Sequence, residues 1–233
     1  MNRFNIMIPT AATALLALGM FSAGCSQGPS TAESIVHPKV GSGYTYTRSD
    51  LDSAGRPVPG TDTTVTATVV AADTAIYGKT EVQKILESNN FWYLHYEPNG
   101  DVSMCFDWKN NGPFAPRWVI LPFASGIPQN TVLADTTLQV ANDHTIDTVK
   151  IKFVAEVKKT GVDTVVIGSQ KLLSEKVQLT IRTSDNGTSN TTTLDLEFAP
   201  KVGFFSRKDD GFVDQVTGKH GTRMQMLKSF TLK

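Results

Sequence analysis

The chain has 233 residues, 40% of them hydrophobic and 19% charged, with 22 Lys and Arg balanced by 22 Asp and Glu. That is room for one ordinary domain, too apolar for a disordered chain, and without the basic excess expected of a nucleic-acid partner. A load of 28 Thr and 21 Val favours strands over helices.

The N-terminus reads as an export signal. Arg3 supplies a positive start, Ile6 to Phe21 is uncharged, and Ser22, Ala23 and Gly24 are small residues before Cys25. The SAGC stretch (Ser22 to Cys25) resembles the lipobox of bacterial lipoproteins, with Ser22 standing where Leu is usual. The resemblance implies cleavage before Cys25 and attachment of lipid to its thiol. Ser26 after the Cys, in place of Asp, implies the outer membrane by the same resemblance. Two other readings stay open: a membrane-spanning helix, which Pro9 and Gly19 weaken, and an ordinary signal cut after Gly24. If Cys25 is lipidated, Cys105 is left as a lone thiol; otherwise the two Cys could pair.

Residues 1–24 are therefore read as signal, and residues 25–43 as a lipidated Cys with a Ser-, Gly- and Pro-rich flexible tether. Residues 44–233 are read as a single β-rich domain. Tyr44 and Tyr46 alternate with Thr45 and Thr47, and Val65, Ala67 and Val69 alternate with Thr64, Thr66 and Thr68. From Thr148 to Lys158, Val149, Ile151, Phe153, Ala155 and Val157 share one face, and Val154 is the misfit. Val177, Leu179 and Ile181 repeat the scheme, as do Leu194, Leu196 and Phe198. Period two means strands with one buried and one wet face, which suits antiparallel pairing.

Turn signals fall between these runs, at Asp52 to Gly60, Pro98-Asn99-Gly100, Asn111-Gly112-Pro113 and Asp185-Asn186-Gly187. Thr80 to Ser88 reads equally as a short helix or a strand. The expected fold is all-β: an antiparallel curved open sheet, half-barrel or barrel of about 10–12 strands, with at most one or two short helices. A sandwich is the alternative.

FAPKVGFFSRKDDG (Phe198 to Gly211) and the closing MLKSFTLK resemble a loose set of uncharacterised bacterial lipoproteins, as do GYTYTRSDLDSAG and LHYEPNGDV. That set is similar in architecture to the lipoprotein localisation factors. The resemblance implies a half-open curved sheet around an apolar, lipid-sized cavity and brings no catalytic residue. In physical terms Pro200 and Gly203 mark a corner between two strands.

The four His (His37, His95, His144, His220) show no metal-ligand spacing, and no catalytic or phosphate-binding motif is present. Asp143, His144 and Asp147 read as a polar turn, and Asp209, Asp210 and Asp214 lack the spacing of a calcium loop. The densest feature is aromatic. Phe91 to Phe123 holds nine of the twenty aromatics and all three Trp, which read as core or as a ligand platform. Trp92, Trp108 and Trp118 are the candidate ligand-binding residues.

These features point to a membrane-anchored, non-enzymatic envelope lipoprotein without a cofactor, binding lipid or another apolar ligand in a β half-barrel. The alternative is an interaction or structural protein that binds glycan or a partner protein through a sandwich surface. An envelope enzyme would need His95, His144 or His220 to converge on a carboxylate within a cleft.

Overall fold

The computed structural model describes residues 35–106, 115–141, 146–185, 188–213 and 220–233. Cys25 and the leader, Trp108, His144 and the Asn111-Gly112-Pro113 and Asn186-Gly187 turns lie outside them. The described residues form twelve strands and no helix: β1 (Gly43–Leu51), β2 (Thr63–Ile76), β3 (Lys79–Glu87), β4 (Asn90–Tyr96), β5 (Val102–Phe106), β6 (Arg117–Leu121), β7 (Gln129–Ala141), β8 (Ile146–Ile167), β9 (Gln170–Asp185), β10 (Thr188–Ala199), β11 (Gly203–Val213) and β12 (His220–Thr231).

All twelve belong to one antiparallel sheet in the order β6-β5-β4-β3-β2-β1-β12-β11-β10-β9-β8-β7. The chain thus runs outward from β1 to one edge, crosses to the other edge at β7, and returns to pair β12 with β1. A twelve-stranded twisted sheet must curl. Here it curls until β6 approaches β7 and β8, giving a nearly closed barrel. The sandwich alternative is therefore corrected, because one sheet wraps on itself. The Thr80–Ser88 ambiguity resolves as strand β3, paired with both β2 and β4.

The core follows the period-two pattern. One cluster joins Leu94, Met104, Val119 and Leu121 from one flank of the sheet to Ala155, Val157, Val177 and Leu179 from the other. Leu196, Phe198 and Phe123 fill the space between them. At about 1.5–3 kcal/mol per fully buried large apolar side chain, this contact across the sheet is what closes the curl. A second cluster gathers Tyr44, Tyr46, Val65, Ala67 and Val69 with Ile167 and Leu172 from the tip of the β8–β9 hairpin. The hairpin's ladder shifts register between Lys159 and Gly161, and bulges of this kind bend a strand.

The FAPKVGFF segment forms the expected corner. Val202 N–H donates to the Ala199 carbonyl at 2.9 Å. Gly203 takes φ 103° beside the Tyr44 hydroxyl, which a Cβ there would meet at 3.7 Å. A side chain at that φ would be strained.

Composition assigned the whole 26–43 stretch to the tether, but from Ile35 onward it packs on the barrel. Ile35 joins the first cluster. Val36 N–H donates to the Pro200 carbonyl at 2.8 Å, and Gly41 N–H donates to the Val69 carbonyl at 2.8 Å. The His37 ring stacks on Tyr96 at 4.6 Å. The compact unit spans Ala32–Lys233 and holds every strand and both clusters.

Candidate ligand-binding cavity

Alternation aims a small set of polar and aromatic side chains into the barrel. On β1, Tyr44, Tyr46 and Arg48 share the inward face. On β4, Trp92, Leu94 and Tyr96 do so, while Tyr93 and His95 face out. Tyr44, Tyr46, Trp92, Leu94 and Tyr96 line one interior cavity with Ala67, Ile85, Glu87, Met104, Leu196, Gly203, Phe204, Ser206, Arg207 and Gln225, and Arg48 bonds to two of these, Glu87 and Gln225.

Solvent reaches the cavity from one end. Along β1, exposure climbs from 6% at Tyr44 and 7% at Tyr46 to 24% for the Arg48 side chain. At the opposite end, the Tyr96 hydroxyl donates to Gln83 Oε1 at 3.2 Å, and Gln83 Nε2 donates to the Pro38 carbonyl at 2.6 Å. The 35–42 segment thus stops that end. The Tyr46 hydroxyl donates to the Phe204 carbonyl at 3.1 Å. Burial pushes the Tyr44, Tyr46 and Tyr96 hydroxyls well above the usual phenol range, so they act as neutral hydrogen-bonding groups.

The mouth carries the charge. Arg48, Gln225 and Arg207 stand directly opposite one another on β1, β12 and β11. Gln225 Oε1 accepts from Arg48 Nη2 at 2.7 Å and from Arg207 Nη2 at 3.3 Å. Glu87 Oε1 accepts from the same two nitrogens, at 2.7 Å and 3.3 Å. Two guanidinium groups therefore share one carboxylate. Burial pulls Arg48 below its ordinary value; Glu87 opposes this, and nearby Arg207 and Arg223 add to it. Arginine nevertheless stays cationic at neutral pH. Arg207 also lies 4.8 Å over the Trp92 ring, a cation–π geometry. The Trp92 indole N–H is buried with no hydrogen-bond partner, and an unmet buried donor of this kind costs about 1–3 kcal/mol.

The cavity encloses about 70 Å³, room for about two waters. Sites for drug-sized ligands run to about 300–1,000 Å³. The lipid-sized cavity implied by resemblance is thus larger than the one present, which suits a short chain or a single ring. A wider groove of about 490 Å³ runs beside the 35–42 segment, between His37 and Lys39 on one side and Asp73 and Glu81 on the other. Asp73 and Glu81 hold φ of 57° and 54°, left-handed values that cost a non-glycine residue about 1–2 kcal/mol.

The structure separates the candidate tryptophans. Trp92 lines the cavity. Trp118 sits on the outer wall, where its Nε1 donates to the Tyr77 carbonyl at 3.1 Å and Lys79 Nζ lies 5.7 Å over its ring. Tyr77 and Tyr93 meet edge to face beside it at 6.3 Å, and Lys84 Nζ caps the exposed Phe91 ring at 3.8 Å. The aromatic run from Phe91 to Phe123 is thus part cavity wall, part outer patch and, at Phe123, core.

Of the histidines, His95 does meet a carboxylate. Its Nε2 lies 3.7 Å from Glu97, and its Nδ1 lies 2.9 Å from the Thr80 carbonyl. Glu97 also accepts from Ser103 and from Lys79 Nζ, the latter at 2.6 Å. Burial alone would raise the Glu97 carboxyl, but these hydrogen bonds and the Lys79 charge hold it below its ordinary range. Ser103 is fully buried with its hydroxyl given to Glu97, so it presents no nucleophile to a His95 base. The group is a polar knot in the outer wall. Among the described residues no set of three or more His, Cys, Asp or Glu could hold a metal ion. Cys105 is buried on β5.

Four residues of the mouth escaped the sequence reading: Arg48, Glu87, Arg207 and Gln225. Two carried a signal. Arg48 continues the inward phase of Tyr44 and Tyr46, and Glu87 continues that of Ile85.

No family model and no curated protein matches this chain. Similar solved structures include an exported-protein candidate with a YmcC-like fold from Bacteroides fragilis, 11% identical over 85% of this chain and 99% of that one, with a TM-score of 0.40. Another is a lipoprotein candidate from Parabacteroides distasonis, 12% identical over 85% of this chain and 99% of that one, with a TM-score of 0.39.

Proposed function

We propose that this protein is a lipid-anchored module of the bacterial envelope that takes an apolar ligand into its barrel and performs no chemistry on it. The observation that carries the reading is the interior cavity, walled by Tyr44, Tyr46, Trp92, Leu94 and Phe204 and open at one end. A water-excluding aromatic wall with a few polar groups at its mouth is the usual construction of a ligand site.

Native mass spectrometry of residues 26–233 tests this. The expected result is one added mass per chain, either carried through purification or acquired from a mixture of envelope lipids and short acyl acids, and released on denaturation. Ala67→Phe, which places a ring in the cavity, removes that mass while leaving the strand signature in circular dichroism. A clean mass under both conditions, or an added mass that Ala67→Phe leaves unchanged, rules the cavity out as the site.

The anchor rests on the SAGC stretch. Each buried CH₂ contributes about 0.8 kcal/mol, so several acyl chains on Cys25 would hold the chain on a membrane without help from its near-neutral charge. Ser26 directs the reading to the outer membrane. Cys25→Ser is expected to abolish incorporation of labelled palmitate and to move the protein from the membrane to the soluble fraction. Undiminished labelling of the variant would remove the anchor from Cys25.

A further inference from the structure

We infer that the ligand of the interior cavity is a short single-chain amphiphile with an anionic head group, a carboxylate, held at the mouth by Arg48 and Arg207. The inference rests on the cavity reading above and adds what the ligand carries at its outer end.

Three observations support it. First, the mouth is unbalanced. Arg48 and Arg207 share Glu87 as their carboxylate partner, and their other shared acceptor is the neutral Gln225 amide oxygen. The three charged groups sum to one excess positive charge, and the matching ligand charge is one negative. Second, the positive groups stand where the cavity meets solvent, with Arg48 and Arg207 side chains 24% and 22% exposed. The apolar wall lies behind them. A ligand with a polar head outside and an apolar tail inside fits this order, and planar guanidinium groups bind carboxylates through paired N–H donors. Third, the Trp92 indole N–H is buried in the wall beside Arg207 without an acceptor. A head-group oxygen would supply one. The size of the cavity, about 70 Å³, limits the tail to a short chain.

The test compares head groups on one tail, using residues 26–233, which contain the whole compact unit. Binding of butanoate, butanol and butyl phosphate, whose tails match the cavity, is measured at neutral pH by isothermal titration calorimetry and by the change in tryptophan emission. The expected result is that butanoate binds about tenfold more tightly than butanol. In Arg207→Met that advantage falls to about threefold or less. Butanol matching butanoate would overturn the anion assignment and leave the apolar cavity standing. Butyl phosphate binding more tightly than butanoate would overturn the carboxylate in favour of a phosphate head. Failure of all three ligands to bind would overturn both this inference and the cavity reading. The head-group comparison is made on the unaltered sequence, so it decides the matter even if Arg207→Met fails to fold.

Discussion

Replacing Phe198 with Ala is expected to lower the stability of the barrel by about 3–5 kcal/mol, the cost of deleting a large ring from a core that cannot collapse around the gap. Phe198 is 1% exposed. Its ring stacks on Phe123 at 4.8 Å, meets Phe204 edge-on at 5.6 Å and lies 6.4 Å from Tyr96. It therefore joins the first core cluster to two residues of the cavity wall. Removal costs the transfer energy of the ring and also leaves a void. The void opens beside the cavity, so the variant should have lower stability and a looser site. Phe198→Leu, which keeps most of the volume, should cost about 1–2 kcal/mol. Urea unfolding followed by circular dichroism measures both, with the slope against denaturant unchanged if only native packing is altered. A loss below about 1 kcal/mol for the Ala variant would mean that Phe198 does not join core to cavity.

The fold was largely readable because period two is a strong signal wherever a strand keeps one wet face. The Thr148–Lys158 run places Ala155 and Val157 in the core, as its alternation requires. The pattern fails where strands bulge. β2 and β3 shift register three times between Val69 and Ile76. As a result Val82 and its neighbour Gln83 are both buried, and no simple alternation survives. That is why Thr80–Ser88 also read as a helix. The 35–42 segment was hidden for a different reason. Its Ser, Gly and Pro residues suit a linker, and what holds it is Ile35 against the core, backbone hydrogen bonds to Val69 and Pro200, a Gln83 bond to the Pro38 carbonyl and one stacked His, contacts that composition does not encode.

The candidate site was legible by half. Trp92 was marked for being aromatic, and the structure places it in the cavity wall. Trp118 was marked for the same reason and faces out, because Val119 and Leu121 take the inward phase of β6. The charged mouth assembles Arg48, Glu87, Arg207 and Gln225 from four strands. Contacts over 120 and 177 residues leave no trace in local spacing. What could be seen was a charge in the phase of a buried face, and a charge there requires a partner.

Asp101→Ala is expected to cost about 2–4 kcal/mol, because charge-assisted hydrogen bonds contribute about 1.5–3 kcal/mol each. Asp101 is 2% exposed, in the Asn-Gly-Asp turn between β4 and β5. Its Oδ1 accepts from the Ala124 and Ser125 backbone N–H groups at 3.0 Å and 2.8 Å, and its Oδ2 accepts from Asn99 at 2.9 Å. Gly100 beside it holds φ 89°, and a Cβ there would lie 2.9 Å from the Ala124 side chain. The turn is thus built to receive the chain that follows β6. From the other side, Lys159 Nζ donates to the Phe123 carbonyl at 2.6 Å. This clamped segment begins the crossing from β6 to β7, the two free edges of the sheet, and it carries Phe123 into the core. Asp101→Asn should cost less, about 1–2 kcal/mol, since the amide oxygen can still serve both N–H groups while the amide nitrogen faces the Asn99 donor. Hydrogen exchange at Ala124 and Ser125 should quicken in the Ala variant, and protection equal to the parent would show that Lys159 alone holds the segment. Because Asp101 positions Phe123 and Phe198 stacks on it, the double variant with Phe198→Ala should lose less stability than the two single losses added together, the sign of a shared partner. Strict additivity would place the closure of the sheet elsewhere than in this contact.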